Sequence, residues 1–395
     1  MRSARRISAL PPYLFAELDK KVSAAKAKGV DVISFGIGDP DRPTPAHIVE
    51  AGQKAMADPA THQYPSYYGM PELREAIARY YDRRFGVTLD PKTQVLPLIG
   101  SKEGIAHLGT AFVDPGDMVL IQDPGYPVYQ TATMLAGGGT ISVPLSAEHD
   151  FVPQLDRIPE LAVQASKVLW LNFPSNPTSA VCTPEFLAEA VRFSTRNDLL
   201  LAHDAAYVEL TYDGYVAPSV LQAPGALDTA VEFGSLSKTY NMTGWRIGWA
   251  VGSAEAIEAI GRVKTNIDSG IFNALQRAGI AALDGPQDCI EENIAVYKRR
   301  RDVVVGALND GGIPVRAPKG AIYVWVPVPE GHTSVSFCQL LLDEAGVIVA
   351  PGSGYGANGE GFVRFSLTLA DDRVDEGMER VLKAMTNELK APKDS

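Results

Sequence analysis

The chain has 395 residues, 46% of them hydrophobic and 21% charged, the proportions of a globular enzyme of two or three domains rather than a disordered, collagenous or disulfide-stapled chain. Lys and Arg total 36 against 47 Asp and Glu, a net charge of −11, which disfavours a nucleic-acid partner because basic side chains supply most of that affinity. Cys182, Cys289 and Cys338 are odd in number and widely spaced, so neither a disulfide framework nor a zinc knuckle is expected, and a cytoplasmic location is.

Arg2, Arg5 and Arg6 resemble the basic start of a signal peptide, but Pro11, Pro12 and the charged run from Glu17 to Lys21 interrupt any apolar segment behind them. No apolar stretch approaches the roughly 20 residues that span a bilayer, so no membrane partner is expected. In chain order, Leu18 to Lys28 reads as a charged amphipathic helix and Asp31 to Gly36 as a short strand, followed by a Gly/Pro-rich stretch to Pro45. Pro71 to Tyr80 opens a helix, and Ser101 and Lys102 open another after Leu98-Ile99-Gly100. The runs at 118–122, 167–173, 199–203 and 231–234 are short, apolar or β-rich, and read as buried strands. Between the second and third, Thr183-Pro184-Glu185 supplies an N-cap, a proline at the first helical position and an early acid for a helix over Phe186 to Arg196.

This alternation predicts an α/β fold with a mostly parallel sheet covered by helices on both faces. Beyond Asp288 a long charged helix, a strand near Ala321 to Val328, a helix near Val335 to Ala345 and a strand at Val363 to Leu367 follow. The expected organisation is a large α/β domain over 46–287 and a smaller α+β domain built from 1–45 and 288–395.

Ligands of open α/β sheets bind beyond the carboxyl ends of the strands, and there the sequence offers a lysine, a carboxylate, amides and hydroxyls in succession. The predicted strand ends deliver Asn176, then Asp204 with Tyr207, then Ser235, Ser237 and Lys238 with Arg246 behind them. Singly these have plain readings: Asn-Pro is ordinarily a turn, an Asp caps a helix, a Lys is solvated. Together they suit pyridoxal phosphate, whose aldehyde forms a Schiff base with a lysine and whose ring nitrogen needs a carboxylate to act as an electron sink. Lys238 suits the first role and Asp204 the second. Asn176 and Tyr207 suit the phenolic oxygen, and Ser235, Ser237, Arg246, Ser101 and Lys102 the phosphate. Tyr126 suits a place against the ring face.

The segments 36–41 (GIGDPD), 64–67 (YPSY), 100–104 (GSKEG), 203–207 (HDAAY), 235–246 (SLSKTYNMTGWR) and 266–270 (NIDSG) resemble those of the fold type I aminotransferases dependent on pyridoxal phosphate. The likeness runs from Pro11 to Leu367 and is greatest to the subfamily that acts on LL-2,6-diaminopimelate with 2-oxoglutarate. It implies that Lys238 holds the cofactor and shuttles the proton. Asp204 and Tyr207 would assist it, and Arg364 would clamp the substrate α-carboxylate with Asn176 and the Ile37-Gly38 backbone. It further implies that Tyr64 reaches the cofactor phosphate of a neighbouring subunit, making the active unit a homodimer with shared sites. Tyr13, Glu103 and Asn266 are candidates for the distal end of the substrate. One departure stands out: the family usually has glycine after Asn-Pro-Thr, and Ser179 takes that place.

Other chemistries fit less well. Ser235-x-x-Lys238 matches the serine–lysine motif of penicillin-recognising enzymes, but the partner motifs Ser-Asp-Asn and Lys-Thr-Gly do not occur. No G-x-G-x-x-G follows an early strand, and the six histidines show no metal-ligand spacing, so no metal is expected. His203 is open to two readings, support for Asp204 or a satisfied core histidine. A DNA-binding regulator carrying an aminotransferase-like domain would need an N-terminal module, for which about 45 residues leave no room. Elimination or cyclisation at the same cofactor stays open.

Overall fold

A computed structural model describes residues 2–12 and 14–390 of the chain. Its centre is a seven-stranded sheet of β1 (Val95–Leu98), β2 (Met118–Asp123), β3 (Gly139–Pro144), β4 (Ser166–Asn172), β5 (Leu200–Asp204), β6 (Ala230–Ser235) and β7 (Gly248–Gly252). The spatial order is β1-β7-β6-β5-β4-β2-β3. Only β7 runs against the others, pairing antiparallel with both β1 and β6. β4, β5 and β6 are almost wholly buried, as strands covered on both faces must be. The connecting helices form where their caps direct. Thr183 accepts a hydrogen bond from the Phe186 N–H at 3.2 Å with Pro184 at the first helical position, and Pro71–Phe85 stops at Gly86, whose φ of +67° a side chain would resist.

Two apolar clusters line the faces of this sheet, one rich in residues of Pro71–Phe85 and Pro184–Arg196, the other in residues of Ser101–Phe112 and Ala254–Thr265. A separate core gathers Ile33 and Phe35 with residues from Tyr297 to Met385. Its sheet holds β8 (Tyr323–Pro327), β9 (Ala350–Pro351) and β10 (Phe362–Ser366) in the antiparallel order β9-β10-β8. Ile33–Ser34 pairs in parallel with Val347–Ile348. Tyr207, Leu210 and Tyr212, from the middle of the sequence, also pack into this core; the Tyr212 N–H bonds the Lys319 carbonyl at 2.9 Å. The chain just past β5 is thereby tied to the smaller sheet. Among the described residues, no helix is long and apolar enough to cross a membrane.

Asp41, in the glycine-rich segment after Phe35, is clamped by the buried Arg300 through two bonds of 2.7 and 2.9 Å. Arg300 also holds Asp371 at 2.7 Å and the Leu367 carbonyl at 3.0 Å. A buried guanidinium sharing its donors among three partners has its charge balanced and its geometry fixed. The segment leading from the first strand to the large sheet is anchored at that point.

Candidate active site

The carboxyl ends of β4, β5 and β6 open on a cavity of about 370 Å³ between the two sheets. Its walls include Ile37, Gly38, Ser101, Lys102, Tyr126, Asn176, Asp204, Tyr207, Ser235, Ser237, Lys238 and Arg246. The residues expected to hold the cofactor and the substrate carboxylate are therefore together, except Arg364, which lies just behind the wall, and Tyr64; the candidates for the distal end of the substrate are not among them. Asp39, Ala206, Thr243 and Tyr323 complete the lining.

Lys238 follows β6 on a short helical turn that Ser235 caps, its hydroxyl accepting from the Ser237 N–H at 3.1 Å. The Lys238 amine donates to the Gly38 carbonyl at 2.6 Å. Burial pushes that amine down to about 8; Asp39 opposes the shift, and the charges of Arg364 and Arg246 add to it. An amine with a value near neutrality is available as a nucleophile and as a proton carrier.

Asp204 ends β5 beside Asn172 of β4. Its Oδ2 accepts from the Tyr129 hydroxyl at 2.8 Å, while its buried Oδ1 has no partner among the described residues. Burial raises the Asp204 carboxyl above the ordinary range, and the bond from Tyr129 works against that rise. Tyr129 is itself immobilised, stacked on Trp170 at 4.7 Å, which stacks on Phe233 at 5.5 Å. Tyr126 meets the Tyr129 ring edge-on at 5.8 Å. Asn172 donates to the Asp204 carbonyl at 2.7 Å and accepts from the Asn176 N–H at 2.7 Å, so one amide ties two strand ends.

Arg364, on β10, is fully buried and not a surface ion-pair residue. Its Nη1 donates to Asn176 Oδ1 at 2.7 Å and its Nη2 to the Gly36 carbonyl at 2.8 Å. The guanidinium carbon lies 4.0 Å from the Tyr323 ring centre and 5.1 Å from that of Tyr355, a cation–π contact on each. Three consecutive carbonyls are thus claimed by three side chains: Gly36 by Arg364, Ile37 by Thr368 at 2.9 Å, and Gly38 by Lys238. Gly38 has to be glycine because a Cβ there would stand 2.3 Å from the Tyr323 hydroxyl. That hydroxyl also pairs with the Tyr207 hydroxyl at 2.8 Å.

At the opposite end of the cavity Ser101 begins the helix Ser101–Phe112, behind Gly100 with φ +79°. A Cβ on Gly100 would meet Arg246 Nη2 at 2.2 Å, so the guanidinium packs against bare backbone. Helix-start N–H groups, three serine hydroxyls and an arginine make an anion site.

Four expectations need correction or placing. Glu103 does not line the cavity: it accepts from His107 Nε2 at 2.8 Å, from Lys264 at 2.9 Å and from the Ile99 N–H. Burial opposes ionisation of Glu103, yet His107, Asp268 and Lys264 together hold its carboxyl down at about 2. Glu103, His107 and Asp268 bring ligand atoms within 4.8 Å of one another, but the Lys264 ammonium already supplies their cation, bonded to Asp268 at 2.7 and 2.9 Å. Asn266 is exposed and bonds the Arg262 carbonyl. His203 faces away from the Asp204 carboxylate, its Nδ1 2.9 Å from Glu232 Oε2, because alternate strand residues point to opposite faces. Tyr13 lies outside the described residues.

Tyr64 stands apart from the cavity and is 86% exposed. Ser179 has φ +55°, which for a residue with a Cβ costs about 1 kcal/mol. It is nonetheless buried, its hydroxyl donating to the Tyr323 carbonyl at 2.8 Å. Sequence reasoning missed Asn172, Tyr129, Tyr323 and Thr368; of these only Asn172, the polar end of an apolar strand, left a signal.

Pyridoxal phosphate fits this cavity. The open Asp204 Oδ1 suits its ring N–H, the Lys238 amine its aldehyde, and the Gly100–Arg246 cradle its phosphate. The sequence matches the family of class I and II aminotransferases over residues 30–381. It is 54% identical to an LL-diaminopimelate aminotransferase of Desulforudis audaxviator over 96% of each chain. It is 51% identical to one of Moorella thermoacetica over 98% of this chain and 99% of that one. A solved structure of a Thermus thermophilus aspartate aminotransferase mutant superimposes with a TM-score of 0.91 at 30% identity, covering 97% of this chain and 100% of that one. The lysine, the buried carboxylate and the anion cradle therefore have a common explanation: this chain belongs to the class I and II aminotransferases, enzymes that use pyridoxal phosphate to move an amino group between amino acids and oxo acids.

Proposed function

We propose that the chain moves an amino group between LL-2,6-diaminopimelate and 2-oxoglutarate, giving tetrahydrodipicolinate and glutamate in alternating half-reactions, and that it works in the cytoplasm. The observation that carries the substrate is the match, over nearly the whole chain, to relatives named for it; the three free cysteines favour a reducing compartment. When bound, pyridoxal phosphate supplies an aldehyde carbon for the amino group and a ring that takes up electrons from Cα.

The protein's own groups do the rest. Lys238 Nζ would hold the cofactor aldehyde, and the same amine is placed to move the proton that leaves Cα. Asp204 Oδ1 accepts the ring N–H and keeps that nitrogen positively charged. Tyr207 and the Asn176 amide N–H donate to the phenolic oxygen, and Tyr126 covers the ring. Ser101, Lys102, Ser235, Ser237 and Arg246 hold the phosphate. Arg364, with Asn176 and the Ile37-Gly38 backbone, grips the α-carboxylate; its planar fork allows two parallel bonds that a lysine could not make. The division into 46–287 and the two termini belongs to the same reading, supported by the separate apolar cores.

The homodimer is also part of it. Tyr64, Tyr67, Ile267 and Phe272 are 86, 51, 64 and 38% exposed. Their two segments adjoin, since Asn273 bonds the Gln63 carbonyl and a Cβ on Gly270 would meet Ser66. An aromatic patch of this kind favours a partner, and a second copy seated on it would bring Tyr64 to the neighbouring phosphate. Sedimentation equilibrium is expected to give twice the 42.4 kDa chain mass; a monomer with full activity would remove Tyr64 from the site.

The substrate assignment is tested by mixing the cofactor-loaded protein with one amino acid at a time and recording a single turnover. Loss of the visible cofactor band with LL-diaminopimelate and glutamate, but not with meso-diaminopimelate, alanine or aspartate, is the expected result. A response to alanine or aspartate without diaminopimelate would keep the chemistry and discard the substrate.

A further inference from the structure

Ser179 occupies a backbone conformation that glycine adopts without strain, yet it is 3% exposed and its side chain makes a bond that glycine could not, from its hydroxyl to the Tyr323 carbonyl at 2.8 Å. That bond crosses from the turn after β4 to the first residue of β8. The turn is closed on itself: the Ser179 N–H bonds the Ser175 carbonyl at 3.0 Å, and the Ser175 N–H bonds the Ala180 carbonyl at 2.9 Å. Asn176 sits inside it, so whatever fixes Ser179 fixes the Asn176 amide.

At the other end of the bond, Tyr323 presents its ring to the Arg364 guanidinium at 4.0 Å, and Arg364 returns to Asn176 Oδ1 at 2.7 Å. The contacts close a circuit: Ser179 to Tyr323, Tyr323 to Arg364, Arg364 to Asn176, and Asn176 through the turn to Ser179. Two of its members stand on the turn of the large sheet and two on the strands β8 and β10 of the small one.

We infer that Ser179 is a positioning residue: its hydroxyl sets the spacing between Asn176 and Arg364, and so the width of the clamp that receives the substrate carboxylate. The inference rests on the assignment of Arg364 to that carboxylate. Among the described residues no other hydrogen bond runs from this turn to β8, so without the hydroxyl more of the clamp's alignment falls to the moment when substrate binds rather than beforehand. A purely structural reading, in which the hydroxyl merely satisfies a strand carbonyl, predicts changes in stability alone.

The test compares Ser179→Gly, which removes the hydroxyl and suits the backbone, with Ser179→Ala, which removes the hydroxyl and keeps the strained conformation, and with Arg364→Lys as a reference. Both Ser179 variants are expected to raise KM for the amino acid and for the oxo acid together, by about fivefold, the worth of one hydrogen bond. Most of the loss should fall in KM rather than kcat, with cofactor affinity unchanged. Melting temperature should separate the pair, with Ser179→Gly the more stable. If Arg364→Lys raises both KM values and neither Ser179 variant does, the positioning role is overturned. If Arg364→Lys leaves them unchanged, it is the carboxylate assignment that has failed.

Discussion

Replacing Lys238 by alanine is expected to cut turnover by roughly ten-thousandfold, the upper range for a positioned proton carrier, and to abolish the visible band of the lysine-bound cofactor. The fold should survive, because the amine makes a single bond, to the Gly38 carbonyl. The same substitution should stabilise the cofactor-free chain at neutral pH. Burial holds the amine at about 8 against an ordinary 10.5, so the folded state binds the proton less readily than the unfolded chain. The destabilisation is complete below about 8 and fades as pH rises toward 10.5. Removing the amine relieves up to roughly 3 kcal/mol at pH 7. Steady-state assay, absorption spectrum and thermal melts check the three parts. Transamination at the unsubstituted rate would sink the assignment of Lys238.

Asp204→Asn is expected to lower kcat on the order of a thousandfold, as when a group aimed at developing charge is removed, while leaving the melting temperature little changed. Asparagine has the same shape and can still accept the Tyr129 hydroxyl, so the loss isolates the negative charge opposite the ring nitrogen. The pH dependence of the bound cofactor's absorption should shift as well, since the ring nitrogen no longer has an anion beside it. Unaltered kcat with an unaltered spectrum would mean that the open Oδ1 serves something other than the ring.

The strands that lead to these two residues were legible because each is an apolar run ending in a polar residue, as with Leu200–Asp204 and Ala230–Ser235. β7 was not: it is GWAVG, and glycine at both ends lowers the β signal. The structure shows why those glycines are needed: a Cβ on Gly248 would stand 2.6 Å from the Ser101 nitrogen and one on Gly252 2.3 Å from the Ala230 carbonyl oxygen. Lys238, Asp204 and the serines that line the cavity could be read from local motifs, whereas Tyr129 and Tyr323 could not. Tyr323 lies in an apolar run that reads as ordinary strand core; its contacts with Tyr207 and Ser179 join residues more than a hundred positions apart, and its contact with Arg364 joins two different strands. The Tyr129 bond to Asp204 spans 75 positions, and no periodicity encodes it. Glu103 misled for a related reason. It stands within a phosphate-site motif, yet its side chain turns back to Ile99, His107 and Lys264.

That backward turn of Glu103 matters for how the cofactor is acquired. The carboxylate staples the chain just before Gly100 to a buried lysine on the helix Ala254–Thr265, and Asp268 carries the tie on to the Gly270 N–H at 2.6 Å. The loop on which the phosphate would land is therefore held by an ion-pair network of the protein's own. A loop tied in this way has less ordering entropy to lose on binding, so capture of the cofactor is expected to be mainly a matter of desolvation.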